Sequence, residues 1–239
     1  MLTSTFIHTQ GIGRKTERAI WQSGLTTWSD FLTGHAACPL ADRQRTLLIP
    51  TVEESVARFA ADDYAYFARA LPSGEQWRAY HDYGPRAAYV DIETLGMGMD
   101  DAITVIGLYD GNETKSFVKG FNLEAFADEI GKYALMVTYA GASFDLPHIR
   151  RAFPGLRLDQ MHIDLCPTLR KLGLKGGLKH IEDVVGLKRP AEIEGMSGWD
   201  AVRLWNEWEW GSRESLDLLL AYNACDVVNL KPLASRAWP

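Results

Sequence analysis

Cysteine is scarce in this chain, and its three copies, Cys38, Cys166 and Cys225, are odd in number and form no C-x-x-C pair. That argues against both a disulfide framework and a zinc site, and it predicts a reducing, cytoplasmic setting. Long apolar runs are missing too, since no stretch approaches the roughly eighteen apolar residues of a membrane span. The opening MLTSTFIHTQ has neither the charged start nor the apolar core of a signal peptide. A membrane role is therefore not expected. Nor is there an excess of positive charge. The formal net charge of -6 argues against a generally basic coat for nucleic acid, while leaving room for a local basic channel, because the field that matters is local. What the chain does have is 239 residues at 46% hydrophobic, enough for a sizeable core in one main domain with a smaller appendage.

Against this background four carboxylates stand out: Asp91 and Glu93 in AAYVDIETLG, Asp145 in YAGASFDLPHI, and Asp226 in YNACDVVNL. Asp91 and Glu93 follow an apolar run, and strand alternation puts residues two apart on one face. Two neighbouring oxygen ligands suit a hard cation such as Mg2+. Asp145 and Asp226 sit in mixed apolar stretches where an unpaired charge is costly to bury and a shared metal would remove the cost. Taken singly, each acid also fits a solvated turn, a helix N-terminus or a helix face. Their order, on a first strand, after a later strand and on a C-terminal helix, is what points to a metal site.

Residues 1–33 contain a tight Gly11-Ile12-Gly13 turn, a helical run carrying Ile20 and Trp21, a stop at Gly24, and a Thr26 or Thr27 cap opening a second short helix. This unit resembles a helix-hairpin-helix. In that motif the turn offers backbone N–H groups to a phosphate, with Lys15, Arg18 and Arg14 adding charge; a packing hairpin without ligand fits equally. Residues 34–84 read as a helical connector in which Thr51 to Glu54, after Pro50, form a capping box opening a helix to about Leu71. Its aromatics Tyr64, Tyr66, Phe67, Trp77 and Tyr80 suit base stacking or, as is commoner at helical spacing, a core. From 85 to 239 the pattern is α/β. Strands are expected at 87–93, 102–109, 114–118, 135–139 and 161–165, with a crossover helix at 123–130 and another from Asp145. That is a mixed five-stranded sheet flanked by helices, of the ribonuclease H-like class.

The segment from Ala87 to Leu233 resembles the DnaQ-like, or DEDD, exonucleases of the ribonuclease H-like superfamily, of the tyrosine type because Tyr222 stands four before Asp226. With the N-terminal hairpin, HIDL, LKHIEDVVGLKRP and YNACDVVNL, the whole chain is more specifically similar to YprB-type proteins. The resemblance implies phosphodiester hydrolysis with two ions, Mg2+ or Mn2+. Asp91, Glu93, Asp145 and Asp226 would be the ligands, and Tyr222 would orient the attacking water. It also implies a departure, since relatives commonly carry Asn where this chain has Ala140. Asp164 is an additional acid at the end of the fifth strand, either supporting the site or simply ending the strand.

Substrate contacts are expected after Asp145, where nine basic residues, among them Arg150, Arg151, Lys175, Lys179 and Arg189, face four acids up to residue 189. A solvated helix face is the alternative. The leading reading is a 3'-5' exonuclease on single-stranded ends of DNA or RNA. A structure-selective endonuclease and a nucleic-acid-binding module with little catalysis remain as alternatives.

Overall fold

The structure, a computed structural model, describes residues 2–96, 98 and 101–238. The chain forms two compact units: residues 1–84 with 159–162, and residues 85–158 with 163–239.

In the first unit, α1 (Arg14–Gln22) follows the turn at Gly11, which takes the left-handed φ of 83° that glycine adopts without strain. Helix α2 (Trp28–Gly34) begins in a reciprocal cap: Asp30 N–H donates to Thr27 Oγ1 at 3.2 Å, and Thr27 N–H donates to the Asp30 carboxylate at 2.9 Å. The helix expected to open after Pro50 instead begins at Asp42 and runs through the proline to Ala60 as α3. Pro50 removes one N–H from the ladder, yet Leu48, Val52 and Ser55 on either side of it are fully buried, so packing overrides the local breaker. This helix also stops earlier than expected. Asp62 turns left-handed at φ 56°, and the Asp63 side chain accepts from Tyr66 N–H at 3.0 Å to open α4 (Tyr64–Ala70); α5 (Tyr80–Tyr83) follows. Phe67 is fully buried and stacks on Trp28 at 5.8 Å, which gives these two aromatics to the core. A buried ion network crosses the unit: Arg78 donates to Glu17 at 2.9 Å and to Glu75 at 2.8 Å.

The second unit is built on a five-stranded sheet in the order β3-β2-β1-β4-β5. Strands β1 (Ala87–Thr94), β2 (Ile103–Tyr109) and β3 (Thr114–Val118) form an antiparallel meander. Helix α6 (Phe126–Ile130) leads to β4 (Leu135–Thr138), which pairs with β1 in parallel. Helix α7 (Asp145–Ala152) precedes the edge strand β5 (Met161–Asp164). Four helices complete the unit: α8 (Leu165–Lys171), α9 (Leu178–Val185), α10 (Gly198–Glu209) and α11 (Arg213–Ala237). The mixed sheet flanked by helices, with further helices before it in sequence, is the architecture the sequence predicts. Alternation along β1 sends Ala88, Val90 and Ile92 into a core with Phe126, Ile130, Leu146 and Ile149. On the other face Val105 packs with Leu204, Trp205, Leu219 and Tyr222 of α10 and α11. The odd-numbered residues of β1, Asp91 and Glu93 among them, therefore turn toward α11.

Candidate active site

One end of β1 meets α11 at a cleft of about 270 Å³ lined by Asp91, Glu93, Asp145, Tyr222 and Asp226, with Tyr139, Ala140 and Lys179 among its other walls. Carboxylate oxygens of Asp91, Glu93 and Asp226 all lie within 4.8 Å of one another. Two of these acids come from the pleat of β1 and the third from α11, one turn after Tyr222. Asp145 enters as the first residue of α7, where its carboxylate accepts from the backbone N–H of Ile92. Asn223, three residues before Asp226, donates from Nδ2 to Asp91 Oδ2 at 3.0 Å. It fits because residue 107, paired with Asp91 across β1 and β2, is glycine.

Burial and mutual repulsion set the electrostatics. Burial, followed by the charges of Asp226, Asp145 and Glu93, holds the Asp91 carboxyl well above the usual carboxylate range. Burial and Asp226 push Glu93 up to about 8. Burial likewise takes Asp145 to about 7, against the pull of its own backbone N–H. Asp226 is raised by burial, with Arg189 and Lys179 opposing. A buried group of carboxylates that resist ionising together, offering oxygen donors alone, matches the needs of a hard divalent cation. The residues present fit such an ion. Tyr222 is raised by burial and by Asp226, Glu93 and Asp91, so its hydroxyl stays neutral. It accepts from Lys179 Nζ, which also stands 4.6 Å over its ring.

The sequence model of the RNase_H superfamily matches residues 88–238. The chain belongs to the RNase_H superfamily. Among solved structures it is similar to the family B DNA polymerase from the hyperthermophilic archaeon Pyrobaculum calidifontis, with a TM-score of 0.52 and 17% identity, over 63% of this chain and 24% of the polymerase. The likeness is one of fold, and it spans about a quarter of the polymerase's length. No curated protein matches the chain.

Within this RNase_H unit, Asp91, Glu93, Asp145, Tyr222 and Asp226 come together, and several of the other predicted residues do something else. Asp164 is the cap of α8 and the clamp of the loop before Asp145. Its carboxylate accepts from Cys166 N–H at 3.0 Å, from Ala140 N–H at 2.8 Å and from Ala142 N–H at 3.2 Å. Ala140 is left-handed at φ 59°, a conformation that asparagine tolerates better than alanine. Arg189, expected among the phosphate contacts, is buried instead: it donates to Glu182 at 2.6 and 2.8 Å and also to Asp226. The charge density of the acids draws the guanidinium inward. Arg151 donates to the Asp101 carbonyl at 2.9 Å, while Arg150 and Lys175 are exposed. In the first unit Lys15, Arg18, Gly11 and Gly13 are exposed, and Arg14 is engaged by Glu75.

Sequence reasoning missed Asn223, Gly107 and Tyr139. A glycine inside a strand signals a close approach, so VIGLY held the clue to the first pair. Nothing local singles out Tyr139.

Proposed function

We propose that the chain is a metal-dependent nuclease, most specifically a 3'-5' exonuclease of the tyrosine-type DEDD kind acting on single-stranded ends. The observation that carries this is the convergence of Asp91, Glu93 and Asp226 within 4.8 Å, with Asp145 in the same cleft. Asp91, Glu93 and Asp226 would hold one divalent ion, Mg2+ or Mn2+, and Asp91 with Asp145 a second. When bound, the ions acidify the attacking water and offset the charge developing on the phosphodiester. The chain's own residues do the rest. Asn223 fixes the Asp91 carboxylate, Arg189 fixes Asp226, and the neutral Tyr222 hydroxyl, anchored by Lys179, orients the nucleophile. The Lys179 ammonium supplies positive charge for the substrate phosphate.

The YprB-type reading extends this to the whole chain: a helix-hairpin-helix-like segment at 1–33, a connector at 34–84 and the nuclease domain at 85–239. The left-handed Gly11, the Gly13 position before α1 and the exposed Lys15 and Arg18 support it. Three free thiols, Cys38, Cys166 and Cys225, support a reducing cytoplasmic setting. Among the described residues no helix is long and apolar enough to cross a membrane.

The test is a single-stranded oligonucleotide labelled at its 5' end and incubated with Mg2+ or Mn2+. A ladder shortening from the 3' end, lost with chelator and in Asp91→Asn or Asp226→Asn, is the expected result. Internal cuts would indicate an endonuclease, and retention without cleavage a binding module. Full activity in excess chelator would exclude the metal mechanism.

A further inference from the structure

The lining of the acidic cleft is of two kinds. Helix α9 contributes the cationic Lys179, whereas α10 contributes only Gly198 and Val202. Val202 also belongs to a second groove, of about 640 Å³, along the outer face of α10, whose ends are marked by Trp199 and Trp210. These two tryptophans are 66% and 92% exposed, against the strong tendency of so large an apolar surface to be covered. They are eleven positions apart, close to three helical turns, so they share one face and stand about 16 Å apart along the axis. Arg203 lies between them and engages the two nearest acids, Asp200 at 3.6 Å and Glu207 at 2.5 Å.

We propose that this groove is a base-stacking track: unpaired bases next to the scissile phosphate lie on Trp199 and, farther from the acids, on Trp210. The proposal rests on the nuclease reading of the cleft and assigns residues to its substrate. A cleft of about 270 Å³ has room for roughly one nucleotide, so the rest of the strand must lie outside it, and Val202 lines both the cleft and the groove. The chemistry is complementary on both sides. A single strand is amphiphilic, and its phosphates can turn toward Lys179 and the exposed Lys175 while its bases turn toward α10. Stacking on an indole needs no positive charge, so it can operate on a face where Arg203 balances one of the two acids that it engages. Duplex bases are already stacked on one another, so this track selects unpaired strands.

The experiment measures affinity by fluorescence anisotropy in Ca2+, using an oligothymidylate of about ten nucleotides. A second strand of the same length carries abasic positions next to the end being degraded. Trp199→Ala and Trp210→Ala should each weaken the intact strand about 10-fold, the usual size of one lost stacked base, and Trp199→Phe should weaken it less. The abasic strand should bind the wild type and Trp199→Ala alike. Unchanged affinity in the variants, or a loss for Trp199→Ala that is equal on the intact and abasic strands, would overturn the track. Cleavage in Mn2+ separates the two readings. A wild type that cuts the strand while the tryptophan variants bind it normally overturns the track alone; a wild type that neither binds nor cuts overturns both. Trp210→Ala losing self-association in sedimentation, with strand affinity unchanged, would assign the tryptophans to a subunit contact and overturn the track.

Discussion

A Cβ on Gly107 would stand 2.2 Å from Asn223 Oδ1. The bare backbone of β2 is thus what lets α11 bring Asn223 against Asp91, where its Nδ2 donates at 3.0 Å.

Gly107→Ala should displace Asn223 and, through it, the Asp91 carboxylate. We expect a stability loss of about 1–3 kcal/mol, typical of overpacking a filled site, with weaker metal binding. Thermal unfolding and a Mn2+ titration by calorimetry measure the two effects. Wild-type metal affinity in the folded variant would show that Asn223 does not position Asp91.

Metal-free protein should lose stability as pH rises. Glu93 titrates at about 8 and Asp145 at about 7 in the fold, both above ordinary carboxyls. Between roughly pH 4 and 8 the folded chain therefore keeps protons that the unfolded chain has released, so stability is fullest below that window and is lost through it. Melting temperatures in chelator from pH 5 to 8.5 should fall, and Glu93→Gln should flatten the slope. Added Mg2+ or Mn2+ should restore stability most at the alkaline end, where the carboxylates ionise readily.

Arg189 is 7% exposed and sits between Glu182 and Asp226. Arg189→Met takes the guanidinium from both buried acids, leaving Glu182 only the Asn229 Nδ2–H at 3.0 Å, and should cost about 3–5 kcal/mol. Adding Glu182→Leu to that variant should recover part of the loss, because one of the stranded charges is then gone. Denaturant unfolding of the single and double variants measures the coupling. Additive losses would mean that the pair does not act as a unit.

Tyr222→Phe removes the hydroxyl held by Lys179 and leaves the ring in place. Turnover should fall by a factor on the order of 10 to 1,000 at near-normal metal affinity, as for loss of one orienting hydrogen bond. Single-turnover rates with saturating Mn2+ are the measurement. An unchanged rate would reduce Tyr222 to a packing residue of the core between the sheet and α11.

The sequence alone carried the sheet, because the apolar runs of β1 and β2 and the turn residues between the strands are local signals. It also carried the candidate acids, since a carboxylate among apolar neighbours is conspicuous wherever it stands. Two local signals misled. Pro50 and the cap after it suggested a helix start, but the burial of Leu48 and Val52 carried α3 through the proline. The basic run after Asp145 suggested free cations, but Arg189 was drawn inward to Asp226 and Glu182. Which charges pair across 37 residues, which glycine admits which amide, and which tryptophans stay outside are set by how α10 and α11 lie on the sheet. Those relations depend on long-range packing, and the tertiary structure alone decided them.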